Sequence, residues 1–308
     1  MILGGDLGGT KTLLALAERV GGRPRIVREQ RFDSRAHADF ADILGDFLAG
    51  QPVAAAAFGL AGPTDGRSAR LTYLPWHLDA AALAQRFGLG HVLLANDFAA
   101  AAHGLDLLEP DHLHTLQAGR PLAAAPRIIV GAGTGLGVAG LIDVHGRTTV
   151  VPGEGGHVGF APQSVEQLVL WQHLFAIHGR VTSEDVVSGP GLGRIHAFLN
   201  GEEQTPETIG TAALAGNAAA RRTVDLWLAA YGAFAGDLAL QWLARGGVFI
   251  AGGIAAKLLP ALSAQPFLDA FNAKREHWHL AESMPVRLVT EERLGLLGAL
   301  ALAARQAS

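Results

Sequence analysis

The chain has no cysteine. That excludes disulfides and thiolate metal sites, although it does not by itself decide the compartment. Charge is sparse as well: charged residues make up 17% of the sequence, the net charge is −4, and no basic run exceeds Arg221-Arg222. Nucleic acid is therefore not an expected partner. Long apolar runs are also missing. The most apolar stretch, 226–262, is broken by Asp237 and Arg245 and contains no uninterrupted 18-residue span, so no membrane partner is expected. A secretory signal would need a basic segment, an apolar run and a cleavage site, but a polar loop around Asp6 occupies that space. A soluble, cytoplasmic protein is the expectation. Lysine is scarce too, since 21 of the 24 basic residues are arginine; together with abundant alanine this reads as genome composition.

What is present is apolar bulk and glycine. Hydrophobic residues make up 49% of the 308, enough for a large core. A prior of roughly 150 residues per domain suggests two domains. Residues 12–17 and 26–32 read as strands following a first strand before Asp6. Residues 40–49 have helical spacing, 53–60 form a continuous apolar run suited to a strand buried on both faces, 83–87 read as helix and 91–94 as another short strand. A helix over 99–107 closes a β-β-β-α-β-α-β-α half. Residues 110–126, polar and with a proline at either end, read as the crossing between domains. The second half restarts with a strand (127–130), a Gly-rich turn (131–137) and a return strand (138–142). Helices over 166–178, 207–219 and 221–244, strands over 247–251 and 286–289, and a closing helix from about 295 follow.

A strand thus runs into a glycine loop at the head of each half. The first is Gly4-Gly5-Asp6-Leu7-Gly8-Gly9-Thr10-Lys11-Thr12. Glycines without Cβ let backbone N–H groups approach phosphate, and a carboxylate at the strand end stands where Mg²⁺ would sit. The spacing is not that of a Walker A loop, and a plain hairpin turn is the alternative. In the second loop, Gly135-Leu136-Gly137-Val138-Ala139-Gly140 fits a dinucleotide fingerprint, but the segment after it reads as a strand where that fingerprint needs a helix. A second phosphate clamp at Gly133-Thr134-Gly135 is the better reading.

Further segments carry a more specific signal. Asn96-Asp97 follows a buried strand, Pro152-Gly153-Glu154-Gly155-Gly156-His157 follows the second loop, and Glu184 precedes Ser188-Gly189-Pro190-Gly191. With Phe249-Ile250-Ala251-Gly252-Gly253-Ile254 and both glycine loops, these segments, in this order from residue 3 to about 300, closely resemble bacterial ATP-dependent glucokinase of the Glk type. The related ROK kinases share the fold but typically carry a Cys/His zinc site, which a chain without cysteine cannot build.

The resemblance implies a two-domain α/β sugar kinase/actin-like ATPase fold of ribonuclease H-like type, with the active-site cleft between the domains. The smaller domain would comprise residues 1–108, with a C-terminal helix (about 295–308) packing back on it; the larger would comprise 109–294. The activity implied is transfer of the γ-phosphate of ATP to the 6-hydroxyl of glucose, with ATP and Mg²⁺ as cofactors. Asp97 would be the base, and Asn96, Asp97, Glu154, His157 and Glu184 would bind the sugar. Asp6, Gly8, Gly9, Thr10, Gly133, Thr134 and Gly135 would hold phosphate, with Asp6 reaching Mg²⁺ through water. Gly189, Gly191, Gly252 and Gly253 would line the adenosine pocket. A homodimer is the family expectation.

Plainer readings stand beside these. Asn96-Asp97 suits a helix N-cap, Glu184 a first-turn helix acid, His157 a structural histidine and Gly252-Gly253 a strand-to-helix turn. The rivals in function are another hexose (fructose, mannose or an N-acetylhexosamine), polyphosphate as donor, a non-catalytic sugar sensor, and an actin-like filament ATPase. One departure is visible: Tyr73 stands where the family commonly has Asn before Trp76, and a phenol cannot copy an amide's paired donor and acceptor. The pairs His112/His114 and His277/His279 suggest no third metal ligand and read as solvated surface.

Overall fold

A computed structural model describes residues 1–72 and 74–307. Tyr73 lies outside the described residues. The elements in chain order begin β1 (Ile2–Leu7), β2 (Lys11–Val20), β3 (Arg23–Asp33), α1 (Phe40–Leu48), β4 (Ala55–Leu60), β5 (Ser68–Arg70), β6 (His77–Asp79), α2 (Ala80–Phe87), β7 (His91–Asn96) and α3 (Asp97–Gly104). There follow β8 (Leu113–Gln117), β9 (Arg127–Ala132), β10 (Leu136–Val144), β11 (Arg147–Gly153), α4 (Val165–His178), α5 (Ser183–Val186), α6 (Gly189–Asn200), α7 (Pro206–Leu214) and α8 (Ala218–Trp242). The chain closes with β12 (Gly247–Ala251), α9 (Gly253–Leu258), α10 (Gln265–Asn272), α11 (Trp278–Ser283), β13 (Val286–Val289) and α12 (Leu294–Gln306).

The first compact unit is Met1–Glu109 with the chain from Glu291 onward. Its sheet has the order β3-β2-β1-β4-β7, with β1, β4 and β7 mutually parallel and β2 and β3 returning antiparallel. Every residue of β4 is buried, as a parallel strand covered on both faces requires. One face packs on α1 through Phe40, Phe47, Phe58 and Trp76. On the other, small side chains (Ala15, Ala17, Ala57, Ala100) let Leu296, Leu300 and Ala303 of α12 settle against the sheet and α3. The β5–β6 hairpin was not visible in the sequence pattern, since each strand is only three residues long.

The second unit, Pro110–Thr290, carries a sheet of order β11-β10-β9-β12-β13-β8. Its β9, β12 and β13 are parallel; β10, β11 and β8 are antiparallel to their neighbours. Residues 110–126 are thus not merely a crossing, because they include β8, which pairs with β13. Behind the sheet runs α8, whose buried Tyr231 donates its hydroxyl to the Val130 carbonyl at 3.0 Å. Burial pushes the Tyr231 hydroxyl pKa well up, keeping it a neutral donor. The helices expected over 207–219 and 221–244 end and begin at a turn capped by Asn217, which accepts from the Ala220 N–H.

Candidate active site

In the first unit the candidate side chains Asp6, Asn96 and Asp97 stand at the C-terminal ends of parallel strands, where open α/β sheets present their ligands. Register fixes this placement: Asp6 of β1 lies opposite Gly59 of β4, and Leu60 lies opposite Asn96 of β7. With β4 between them, Asp6 and Asn96 are separated by two strand spacings, about 10 Å. The hairpin β1–β2 turns through Gly8-Gly9-Thr10, closed by Gly8 N–H donating to the Lys11 carbonyl at 2.9 Å. Thr10 is exposed at the tip.

Ser34 anchors this loop, a role the sequence did not reveal. Its hydroxyl donates to the Gly8 carbonyl at 2.8 Å, and the Ser34 N–H donates to the Thr10 carbonyl at 3.0 Å. With its only hydroxyl proton so used, Ser34 Oγ accepts from Thr12 Oγ1 at 2.9 Å. Ser34 and Thr12 are both fully buried.

Asn96 caps α3, its Oδ1 accepting from the N–H groups of Phe98 (3.0 Å) and Ala99 (3.1 Å). That leaves its amide nitrogen as the end with donors to offer. Asp97 is the first residue of α3, and its Oδ1 accepts from Phe98 N–H at 2.8 Å. Capping thus engages Oδ1 of both residues of the pair.

Asp6 is the candidate metal carboxylate. Burial raises its pKa, and the charge of Lys11 acts in the opposite direction. Among the described residues no group of three or more His, Asp or Glu converges as a metal cage. A single carboxylate beside a glycine loop is a donor set that fits Mg²⁺, which keeps several waters and takes few protein ligands.

In the second unit a comparable edge forms. Ala132 pairs with Leu136 across the loop between β9 and β10, Gly131 lies beside Ala251 of β12, and Val138 pairs with Gly153. The residues just beyond, Gly133-Thr134-Gly135, Gly252-Gly253 and Glu154, consequently share one rim. Thr134, Gly253, Glu154 and His157 are exposed. Gly252 has φ +97°, and a Cβ there would strike the Ala132 carbonyl, so glycine is required.

Glu154 and His157 flank a short 3₁₀ turn, their carboxylate and imidazole 3.9 Å apart with both side chains largely open to solvent. Beside them α5 is fixed by a capping box between Thr182 and Asp185, and Ser183 N–H donates to the Val158 carbonyl at 2.8 Å. Glu184 projects from this turn onto the second loop, where its Oε2 accepts from Leu136 N–H at 2.8 Å. Gly189 and Gly191 are buried: Gly189 N–H donates to the Gly133 carbonyl at 2.8 Å and Gly191 N–H to Ser188 Oγ at 3.0 Å. Gly189 thus ties the start of α6 to the loop, Gly191 packs within the α5–α6 turn, and the residue exposed between them is Pro190.

Comparison with known proteins places the chain in a family. The glucokinase family model matches residues 3–306. A glucokinase of Nostoc punctiforme is 37% identical over 338 aligned positions, covering 99% of each chain. The crystal structure of a glucokinase from an Antarctic psychrotroph superposes with a TM-score of 0.87 at 28% identity, covering 99% of this chain and 98% of that one. A ROK-family glucokinase from Streptomyces griseus, in complex with glucose and AMPPNP, gives a TM-score of 0.65 at 21% identity, with 99% of both chains covered. That last likeness is one of fold. The fold class is that of the two-domain α/β sugar kinases.

Proposed function

From the chain's membership of the glucokinase family we propose that it transfers the γ-phosphate of ATP to the 6-hydroxyl of glucose, with Asp97 as the base. The observation that supports this role is the placement of Asn96-Asp97. The pair opens α3 at the C-terminal end of a parallel strand, in the same sheet edge as the phosphate loop. Phosphoryl transfer depends chiefly on positioning and charge stabilisation. Asp97 takes the proton of the 6-hydroxyl as that oxygen attacks phosphorus, and the bond from phosphorus to the β–γ bridging oxygen breaks to leave ADP. Asn96 donates to a sugar oxygen through its amide, and Glu154, His157 and Glu184 meet the remaining hydroxyls. Thr10 and Thr134 give hydroxyl donors, and Gly8, Gly9, Gly133 and Gly135 give backbone N–H groups, to phosphate oxygens. Gly252 and Gly253 face adenosine, with Gly189 tying the loop to the start of α6 and the buried Gly191 supporting that turn. Mg²⁺, held through water by Asp6, would neutralise charge on the phosphates.

The absence of cysteine supports the Glk rather than the ROK branch, since the zinc site of the latter cannot form. A homodimer located in the cytoplasm belongs to the same proposal, and among the described residues no helix is long and apolar enough to cross a membrane.

The test is ADP release with Mg-ATP and a panel of hexoses, run beside Asp97→Asn. Removal of a general base lowers kcat by about 100-fold to 10,000-fold. The expected result is glucose-dependent turnover that collapses in the variant while glucose binding survives. Turnover in the variant within a few-fold of the parent would remove Asp97 from the role. Absence of stimulation by any hexose would remove the kinase assignment itself.

A further inference from the structure

We propose that Glu184, beyond meeting the sugar, is a positioning residue for the donor loop, so that a single carboxylate braces the nucleotide site and reads the acceptor. The inference rests on the second glycine loop being the phosphate clamp. Glu184 Oε2 accepts from Leu136 N–H at 2.8 Å, a charge-assisted bond to the residue that leaves the loop. The contact extends to the loop itself, since a Cβ on Gly135 would lie 2.7 Å from the same oxygen. Glycine at 135 thus serves an approach by a side chain as well as an approach by phosphate.

The brace has a firm base. Thr182 and Asp185 satisfy each other's end of α5, Arg194 donates to the Asp185 carbonyl at 3.1 Å, and Ser183 is bonded to Val158. Among the described residues the other bonds at the loop's turn run from Gly133 N–H to the Gly135 carbonyl and from Gly189 N–H to the Gly133 carbonyl. Neither of those bonds reaches Leu136 N–H. A carboxylate offers about four acceptor positions over two oxygens, so Glu184 can keep the Leu136 bond and still accept from a sugar hydroxyl. Sugar bound at Glu184 then restrains the carboxylate that restrains the clamp, and the two ligands favour one another's binding.

Calorimetric titration of ADP into sugar-free protein tests this, because a residue that met only sugar would leave that titration unchanged. Glu184→Ala orphans the Leu136 N–H and is expected to weaken ADP binding about 10-fold, the scale of one hydrogen bond to a charged group. Glu184→Gln retains an oxygen able to accept from Leu136 N–H and is expected to stay within about two-fold of the parent. Equal ADP affinity in the parent and Glu184→Ala would overturn the proposal. Glucose KM in the same variants reports separately on the sugar reading, which stands or falls on its own.

Gly135→Ala gives the reciprocal test if Glu184→Ala fails to fold. Its Cβ displaces the Glu184 carboxylate, and glucose binding measured without nucleotide is expected to weaken by several-fold. Unchanged glucose affinity in a folded Gly135→Ala protein would overturn the coupling.

Discussion

Asp6 is held by packing as much as by its strand. A Cβ at Gly295, in the first turn of α12, would lie 2.8 Å and 3.1 Å from its two carboxylate oxygens and 2.9 Å from the carbon between them. Two opposing effects decide the consequence of Gly295→Ala. Alanine favours the helix by roughly 0.5–1 kcal/mol over glycine, whereas overpacking costs about 1–3 kcal/mol unless something moves. The far end of Asp6 is what can move, so the variant is expected to fold with near-parent stability and a displaced carboxylate. The predicted outcome is kcat down about 10-fold, half-saturation shifted to higher Mg²⁺, and glucose affinity without nucleotide unchanged. A Mg²⁺ titration of turnover that superposes on the parent's would refute it. The contrast with Asp6 itself shows what sequence could reveal. Asp6, Asp97 and Glu154 are acids set against glycines or at a strand end, and their neighbours in the chain single them out as candidates. Ser34 and Gly295 act on partners 26 and 289 positions away, on Gly8 and Asp6, and nothing local marks them.

Elements were legible where one face is clearly buried. The all-buried β4 and the apolar stripe of α1, with Ile43, Leu44, Phe47 and Leu48 inside, carry their period openly. β8 does not, because it is an antiparallel edge strand with polar, half-exposed residues that read as loop. α4 presents the opposite difficulty, carrying apolar residues on its outer as well as its inner face. Gln167, Leu170 and Leu174 face inward, while Val165, Leu168, Val169 and Phe175 lie exposed on the other side, Leu168 at 46%. A group of exposed apolar side chains on one helix face is a candidate for burial by another surface. If the homodimer proposed above uses this face, sedimentation velocity at micromolar concentration should give twice the 32.1 kDa chain mass. Leu168→Glu combined with Phe175→Glu should return the single-chain mass with the fold retained. A parent protein that sediments as one chain at every concentration would dispose of the dimer, and a double variant that remains dimeric would dispose of this face.

At the scale of the whole molecule, each unit is built on the same plan: a three-stranded antiparallel meander whose first strand continues into parallel strands, with the glycine loop at the first turn. The repetition is one of architecture, so the sequence showed it as two strand–loop–strand beginnings and not as matching residues. In the first unit α12 packs on α3, the helix that carries the half-buried His103. Burial, then the positive charge of Arg305, lower its pKa from 6.5 to about 4, with Asp106 opposing them. Its Nδ1 finds no hydrogen-bond partner among the described residues. The folded protein therefore refuses a proton that the unfolded chain accepts below about pH 6.5. Linkage then makes the contribution of neutral His103 complete above pH 6.5, progressively lost as pH falls toward 4, and constant below that. Carboxylates titrate over part of the same window, so the effect is isolated by difference. His103→Asn cannot take up the proton in either state, and its thermal midpoint should fall less than the parent's between pH 7 and pH 4.5, by about 2–4 °C for each kcal/mol of linkage removed. Melting curves that fall in parallel across that range would show that His103 does not govern the acid stability, and the partial burial of its imidazole would then be a matter of packing alone.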